Sequence, residues 1–270
     1  MGHNLGDRAI MRLPWILLCP VLVPLLLAPT LCSAQTSNFG PASICADDGP
    51  LVWAASEFPP YAWKDEQGIH GYAVELVELM AKRIGRDASI TFFPWARTLR
   101  MTEQGQRCGV FPMLRTPERE SHFRWLMSAG KARYVFFGKL QAPLEDRAAM
   151  RKARIGVLRG APMKKQLQDD GFTQIVEGNS YRDLLRMLEN DTVTAVFGLE
   201  VNFEGNLDVY GVKIEHLRKG PSIGSDELFF AASPSLSDDE AEAWMQAWRE
   251  VVRDGLVAKL RRKYKLDGER

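Results

Sequence analysis

The chain is poor in the residues that mark metal, redox or nucleic-acid proteins. It has 4 cysteines and 4 histidines in 270 residues. Two of the cysteines fall within residues 1–34, which leaves Cys45 and Cys108 in the rest of the chain. His70, His122 and His216 are scattered without ligand spacing, so no metal site is supported. No glycine-rich loop suited to cradling phosphate is present, and no cofactor is implied. Charge of one sign is also lacking, with 35 Lys and Arg against 34 Asp and Glu. Without a net field the chain has no means of gathering nucleic acid or an anionic membrane surface. A second long apolar run is missing, so no further stretch reads as a membrane-spanning helix.

The one long apolar run stretches from Leu13 to Leu31, after Arg8 and Arg12 and before the small residues of Cys32-Ser33-Ala34. A basic start, an apolar middle and a small-residue exit describe a cleavable export signal over residues 1–34, and Pro14, Pro20, Pro24 and Pro29 argue against a spanning helix. Removing that segment takes away two basic residues and one acidic one, so the remaining chain is near neutrality. In an oxidising compartment Cys45 and Cys108 suggest one disulfide, with two buried free thiols as the alternative. At 46% hydrophobic and 26% charged, the chain can bury one large core or two modest ones.

Strand and helix signals then alternate. Leu51 to Ala55 is a short apolar strand, Val74 to Ile84 an amphipathic helix stopped by Gly85, and Ser89 to Phe93 a β-branched and aromatic strand. Ala96 to Gln104 reads as a helix, and Cys108 to Met113 as a further strand. This order implies a parallel sheet flanked by helices, with a crevice beyond the carboxyl ends of its strands. The loops Ser56–Tyr61, Pro94–Arg97 and Leu114–Arg119 converge on that edge. A second series follows, with a strand at Arg154–Leu158, a helix from Pro162, a capping box at Ser180 and a strand at Val193–Phe197. Ser237 caps a helix that runs to Asp254, and Val257 to Tyr264 forms an amphipathic tail.

The strongest chemistry lies at Thr116-Pro117-Glu118-Arg119, where Thr116 caps a helix start and the Arg119 fork joins exposed N–H groups as an anion site. Phe58, Tyr61 and Trp95 are loop aromatics at the same edge and suit a pocket wall, and Arg97 and Arg115 add positive charge. Gly220-Pro221-Ser222-Ile223-Gly224 spells G-x-S-x-G but lacks the strand before and helix after that a nucleophile elbow requires.

Jointly, Pro59-Pro60-Tyr61, the run Gly71-Tyr72-Ala73-Val74-Glu75-Leu76, Thr116-x-x-Arg119 and Asp254-Gly255 with Lys263-Tyr264 resemble the family 3 periplasmic solute-binding proteins, the polar amino acid receptors of ABC uptake systems. The similarity spans about Leu51 to Leu266, and Pro94-Trp95-Ala96-Arg97 matches a Pro-Trp-x-Arg variant of a divergent branch. It implies a type II periplasmic-binding-protein-like α/β fold, two lobes each with a mainly parallel sheet, at residues 43–130 plus 226–270 and 131–225. It also implies a monomer in the periplasm that closes on a small carboxylate-bearing, amino-acid-like solute and meets an ABC permease or a membrane sensor. Arg119 would grip the carboxylate, Phe58 and Trp95 would wall the ligand, and Tyr61, Arg97 and Glu200 would join the site.

The chain departs from the family where amino acid binders carry an aspartate, having Leu199 followed by Glu200. Expected hydroxyl positions are replaced around Pro112 and Leu114 and at Ala161-Pro162. These changes keep the carboxylate arginine and drop the ammonium acceptor, which favours another small carboxylate or a modified amino acid. The alternatives are a periplasmic sensor input and a cyclohexadienyl-dehydratase-like enzyme with Glu200 or Glu57 as its acid; the binding reading assigns no catalytic residue.

Overall fold

The structure, a computed structural model, describes residues 44–45, 49–203, 207–211 and 217–266. The export signal and His216 lie outside them. The chain opens with β1 (Val52–Ala55), a hairpin of β2 (Trp63–Asp65) and β3 (Gly68–His70), and α1 (Tyr72–Arg83). Then come β4 (Ser89–Phe92), α2 (Trp95–Gln104), β5 (Cys108–Leu114) and the long β6 (Arg124–Lys139). A second series holds α3 (Arg147–Lys152), β7 (Ile155–Leu158), α4 (Met163–Asp169), β8 (Ile175–Gly178), α5 (Tyr181–Glu189) and β9 (Ala195–Leu199). The short β10 (Leu217–Lys219), β11 (Ser225–Ala232), α6 (Asp238–Arg253) and α7 (Leu256–Lys263) complete it.

The strands run in the order β4-β1-β5-β11-β6-β9-β7-β8, with β10 also on β6. Parallel pairs occupy both ends, β4-β1-β5 and β9-β7-β8, as the alternating strands and helices require. Antiparallel pairing is confined to the middle, where β6 and β11 pass. Along β6, Arg124 to Arg133 pair with β11, and Tyr134 to Gly138 pair with β9. One 16-residue strand thus serves both parallel sets.

The first core gathers around Trp53, fully buried between Phe111, Phe230 and Trp244 at ring distances of 5.8, 5.9 and 5.0 Å. Only glycine fits at Gly109 beneath it, because a Cβ there would lie 2.4 Å from the indole. Helix α1 begins at Tyr72, two residues before the expected Val74, since Gly71 enters at φ 134° with its Cα against the Tyr61 carbonyl. A Cβ at Gly71 would sit 2.1 Å from that oxygen. In α5, Tyr181, Leu184, Leu185 and Leu188 share the buried face, and the Ser180 hydroxyl accepts from Asp183 N at 3.1 Å. Ser237 caps α6 in the same manner, and Glu75 of α1 receives Lys263 at 2.6 Å and the Tyr264 hydroxyl, which docks the tail helix.

Glu240 of α6 is the buried knot between these elements. Its carboxylate accepts from Arg86 at 2.8 Å, Arg107 at 3.1 Å and Trp244 Nε1 at 2.9 Å. Removing it would leave two guanidiniums and an indole N–H without their acceptor. Glu240→Ala is therefore expected to cost about 2–3 kcal/mol in urea denaturation, short of a fully buried triad because both arginines keep partial solvent access.

A disulfide joins Cys45 to Cys108, with Cα atoms 5.3 Å apart. It sits where β5 begins, at the end of the sheet opposite the crevice. Around it pack Met101, Ile44, Val52 and Phe93.

Candidate functional site

A cavity of about 420 Å³ lies at the carboxyl ends of β1, β4, β5, β7 and β9. The ends of β1 and β4 are tied together beside it by Ser56, whose hydroxyl donates to Phe93 O at 2.8 Å and lies 3.2 Å from Thr98 Oγ1. This fixes the loop carrying Phe58 against the start of α2, where Pro94 leads into Trp95. Phe58 and Trp95 are nearly buried, at 9% and 8% exposure, and both line the cavity. Phe58 meets Tyr181 of the second series edge-on at 5.9 Å.

Arg119 follows β5 on a three-residue 3₁₀ turn, Pro117–Arg119. Thr116 makes no side-chain cap there, and so short a turn offers no helix-start anion site. The guanidinium itself supplies the positive charge. It stands 5.9 Å over the Trp95 ring and donates to Leu114 O at 3.0 Å and to Gly160 O at 2.7 Å. Those two carbonyls belong to different series, so one side chain spans the crevice. Both partners are neutral, and burial draws the Arg119 pKa down to about 10. A half-buried cation with unused fork donors is a strong site for a carboxylate. Trp95 Nε1 is buried beside it with no hydrogen-bond partner among the described residues.

Three other expected binding residues, Tyr61, Arg97 and Glu200, do not line this cavity. Tyr61 is fully buried beneath Phe58, at 5.6 Å from both Phe58 and Tyr72, where the turn before α1 needs a large core side chain. Arg97 is exposed and lies over the Phe93 ring at 4.9 Å, without lining the cavity itself. Glu200 follows β9 but turns aside, with its carboxylate held by Arg133 and Lys219. Those cations hold it ionised with its pKa lowered, against the burial that opposes charge. Glu57, the other acid considered, lines the cavity with its side chain 35% exposed and 3.7 Å from Arg182.

The second series supplies residues that the sequence placed only as departures. Ala161, Pro162 and Leu199 line the cavity together with Pro112 and Leu114. Leu158, Met163 and Tyr181 had no individual signal. The usable one was position, because Leu114, Leu158 and Leu199 each end a strand of a parallel set. Among the described residues no cluster of His, Cys, Asp or Glu could hold a metal ion.

Two α/β sets bridged by long crossing strands, with a cavity between their carboxyl ends, define a two-lobed type II binding-protein fold. The chain belongs to the bacterial extracellular solute-binding proteins, family 3, whose sequence model matches residues 51–267. Among its relatives is the arginine-binding extracellular protein ArtP of Bacillus subtilis (strain 168), 21% identical over 258 residues, covering 93% of this chain and 97% of the relative. The crystal structure of a mutant of ArgBP from T. maritima matches with a TM-score of 0.72 at 18% identity, over 84% of this chain and 100% of the other. A histidine kinase sensor domain with similarity to periplasmic binding proteins gives 0.71 at 16%, over 81% and 97%. At such identities the solved structures speak to the fold alone.

Proposed function

We propose that this chain, exported to the periplasm and freed of residues 1–34, is a monomeric receptor that closes on a small carboxylate-bearing solute and presents it to an ABC permease. The observation that carries this reading is Arg119, a half-buried cation at the cavity whose hydrogen bonds are all to neutral carbonyls. Residues 43–130 plus 226–270 form one lobe and residues 131–225 the other, hinged on the middle of β6 and the start of β11. The solute first meets Arg119, Phe58 and Trp95, then gains contacts from Met163, Tyr181 and Leu199 only in the closed state. That difference in contact energy drives closure. The relation to an arginine-binding extracellular protein supports a role in binding a small solute outside the cytoplasm.

Thermal unfolding of the exported protein against a panel of carboxylates, amines and neutral solutes tests the reading. A solute at a hundredfold over its dissociation constant adds about 2.7 kcal/mol, and small-angle scattering with the same solute should report a smaller radius of gyration. Stabilisation by amines alone, or none at all, would sink it. A second reading, an enzyme, has Glu57 as its one acid at the cavity. Turnover of a cyclic carboxylate that disappears in Glu57→Gln would establish that reading instead.

A further inference from the structure

The walls of the cavity are apolar on both sides. Phe58, Trp95 and Phe111 come from the first series, and Leu158, Met163 and Leu199 from the second. Three wall positions are prolines, Pro94, Pro112 and Pro162, which have no backbone N–H to offer a solute. Ser56 gives its proton to Phe93 O, and Ser180 caps α5. Positive charge is present at Arg119, and Lys64 adds more at an exposed edge.

Acceptors for a cation are scarce. Among the described residues the only lining carboxylate is Glu57, which reaches solvent and lies beside Arg182. Leu199 ends β9 at 2% exposure, and the carboxylate that follows it is held outside by Arg133 and Lys219. A solute ammonium would therefore lose its water against leucine and phenylalanine, within the field of a cation that has no acidic partner in the cavity. An apolar body in the same place would gain the burial that these walls offer.

Resting on the solute-binding reading above, we infer that the cavity takes an apolar monocarboxylate without an ammonium group, an aryl- or alkyl-alkanoate, in preference to an amino acid. The carboxylate meets Arg119, and the hydrocarbon body lies between Phe58, Trp95 and Leu199.

Isothermal titration with two matched pairs decides this. 3-Phenylpropanoate and L-phenylalanine differ only by the ammonium, as do 4-methylpentanoate and L-leucine; L-arginine and phenethylamine complete the set. The expected result is that at least one alkanoate binds tenfold or more tighter than its amino acid partner, with no binding of phenethylamine. If an amino acid binds as tightly as its partner, or L-arginine binds tightest, the inference is overturned and the receptor reading stands. If no carboxylate in the set binds, both fail. In Leu199→Asp, which places an acceptor in the wall, the preference should move toward the amino acid by tenfold or more. An unchanged ratio in a folded Leu199→Asp protein would also overturn the inference.

Discussion

Replacing Arg119 with methionine should weaken binding of any carboxylate solute about a hundredfold or more while leaving the fold intact. Charge-assisted hydrogen bonds are worth about 1.5–3 kcal/mol each, and a carboxylate buried without its cation costs about 3–5 kcal/mol. Two such bonds together, or the second figure alone, reach about two decades of affinity. The side chain touches no acidic partner whose loss would be felt, only the carbonyls of Leu114 and Gly160. Methionine keeps the volume beside Trp95 and removes a cation that burial disfavours. The unliganded variant should accordingly melt close to the parent, and calorimetry on both proteins separates the two effects. Equal affinity in the variant would remove Arg119 from the site, and with it the reading built on it.

The same group sets a pH limit. The burial-lowered Arg119 pKa of about 10 lies beneath that of an unfolded chain. Since a carboxylate needs the charged form, binding raises that pKa and takes up protons as the free group begins to titrate. Affinity is expected to hold from about pH 6 to 9, then to fall roughly tenfold per unit above pH 10. At acid pH the solute's own carboxyl imposes the other limit. Titrations in buffers of different ionisation enthalpy would detect the proton uptake; an affinity flat through pH 10.5 would contradict it.

How much of the fold and the site was legible in the sequence depended on whether the signal was local. The sequence places α1, α2 and α6, and the start of α5, within a residue or two, because each carries its own apolar stripe and α5 and α6 also carry serine caps. The long β6 was not legible. Its burial alternates unevenly because its partner changes from β11 to β9 along its length, so no single period describes it. At the site, Phe58, Trp95 and Arg119 stood out as large or charged side chains on crevice loops, and the structure brings all three to one cavity. Tyr61 shared the same loop and faces the core, because a tight turn alternates inside and outside in a way that spacing alone does not reveal. Glu200 lies off the cavity for a different reason. Sequence proximity to a strand end places a backbone, while the direction of the side chain was set by Arg133 and Lys219, far apart in sequence.

Reducing or removing the Cys45–Cys108 bridge is expected to lower stability by about 4 kcal/mol without altering the affinity of the site. The bridge closes a loop of 63 residues that contains β1, α1, β4 and α2. The loop-closure relation gives about 4 kcal/mol for that length, acting chiefly on the unfolded chain. For a chain of this size the melting temperature should drop by roughly 8–16 °C. Distance protects the site, since β5 separates Cys108 at its start from Leu114 at its end by about 20 Å of extended strand. Cys45 and Cys108 pack among Met101, Val52 and Phe93, so alanine at both positions is tolerated better than a polar residue. The double variant should bind the solute within about twofold of the parent at 25 °C and unfold first when heated. If reducing agent leaves the melting temperature where it was, the bridge does not constrain the chain in solution. If affinity falls tenfold with stability, the end of the sheet that carries the disulfide is coupled to the crevice through β5, and the two could not be treated as independent.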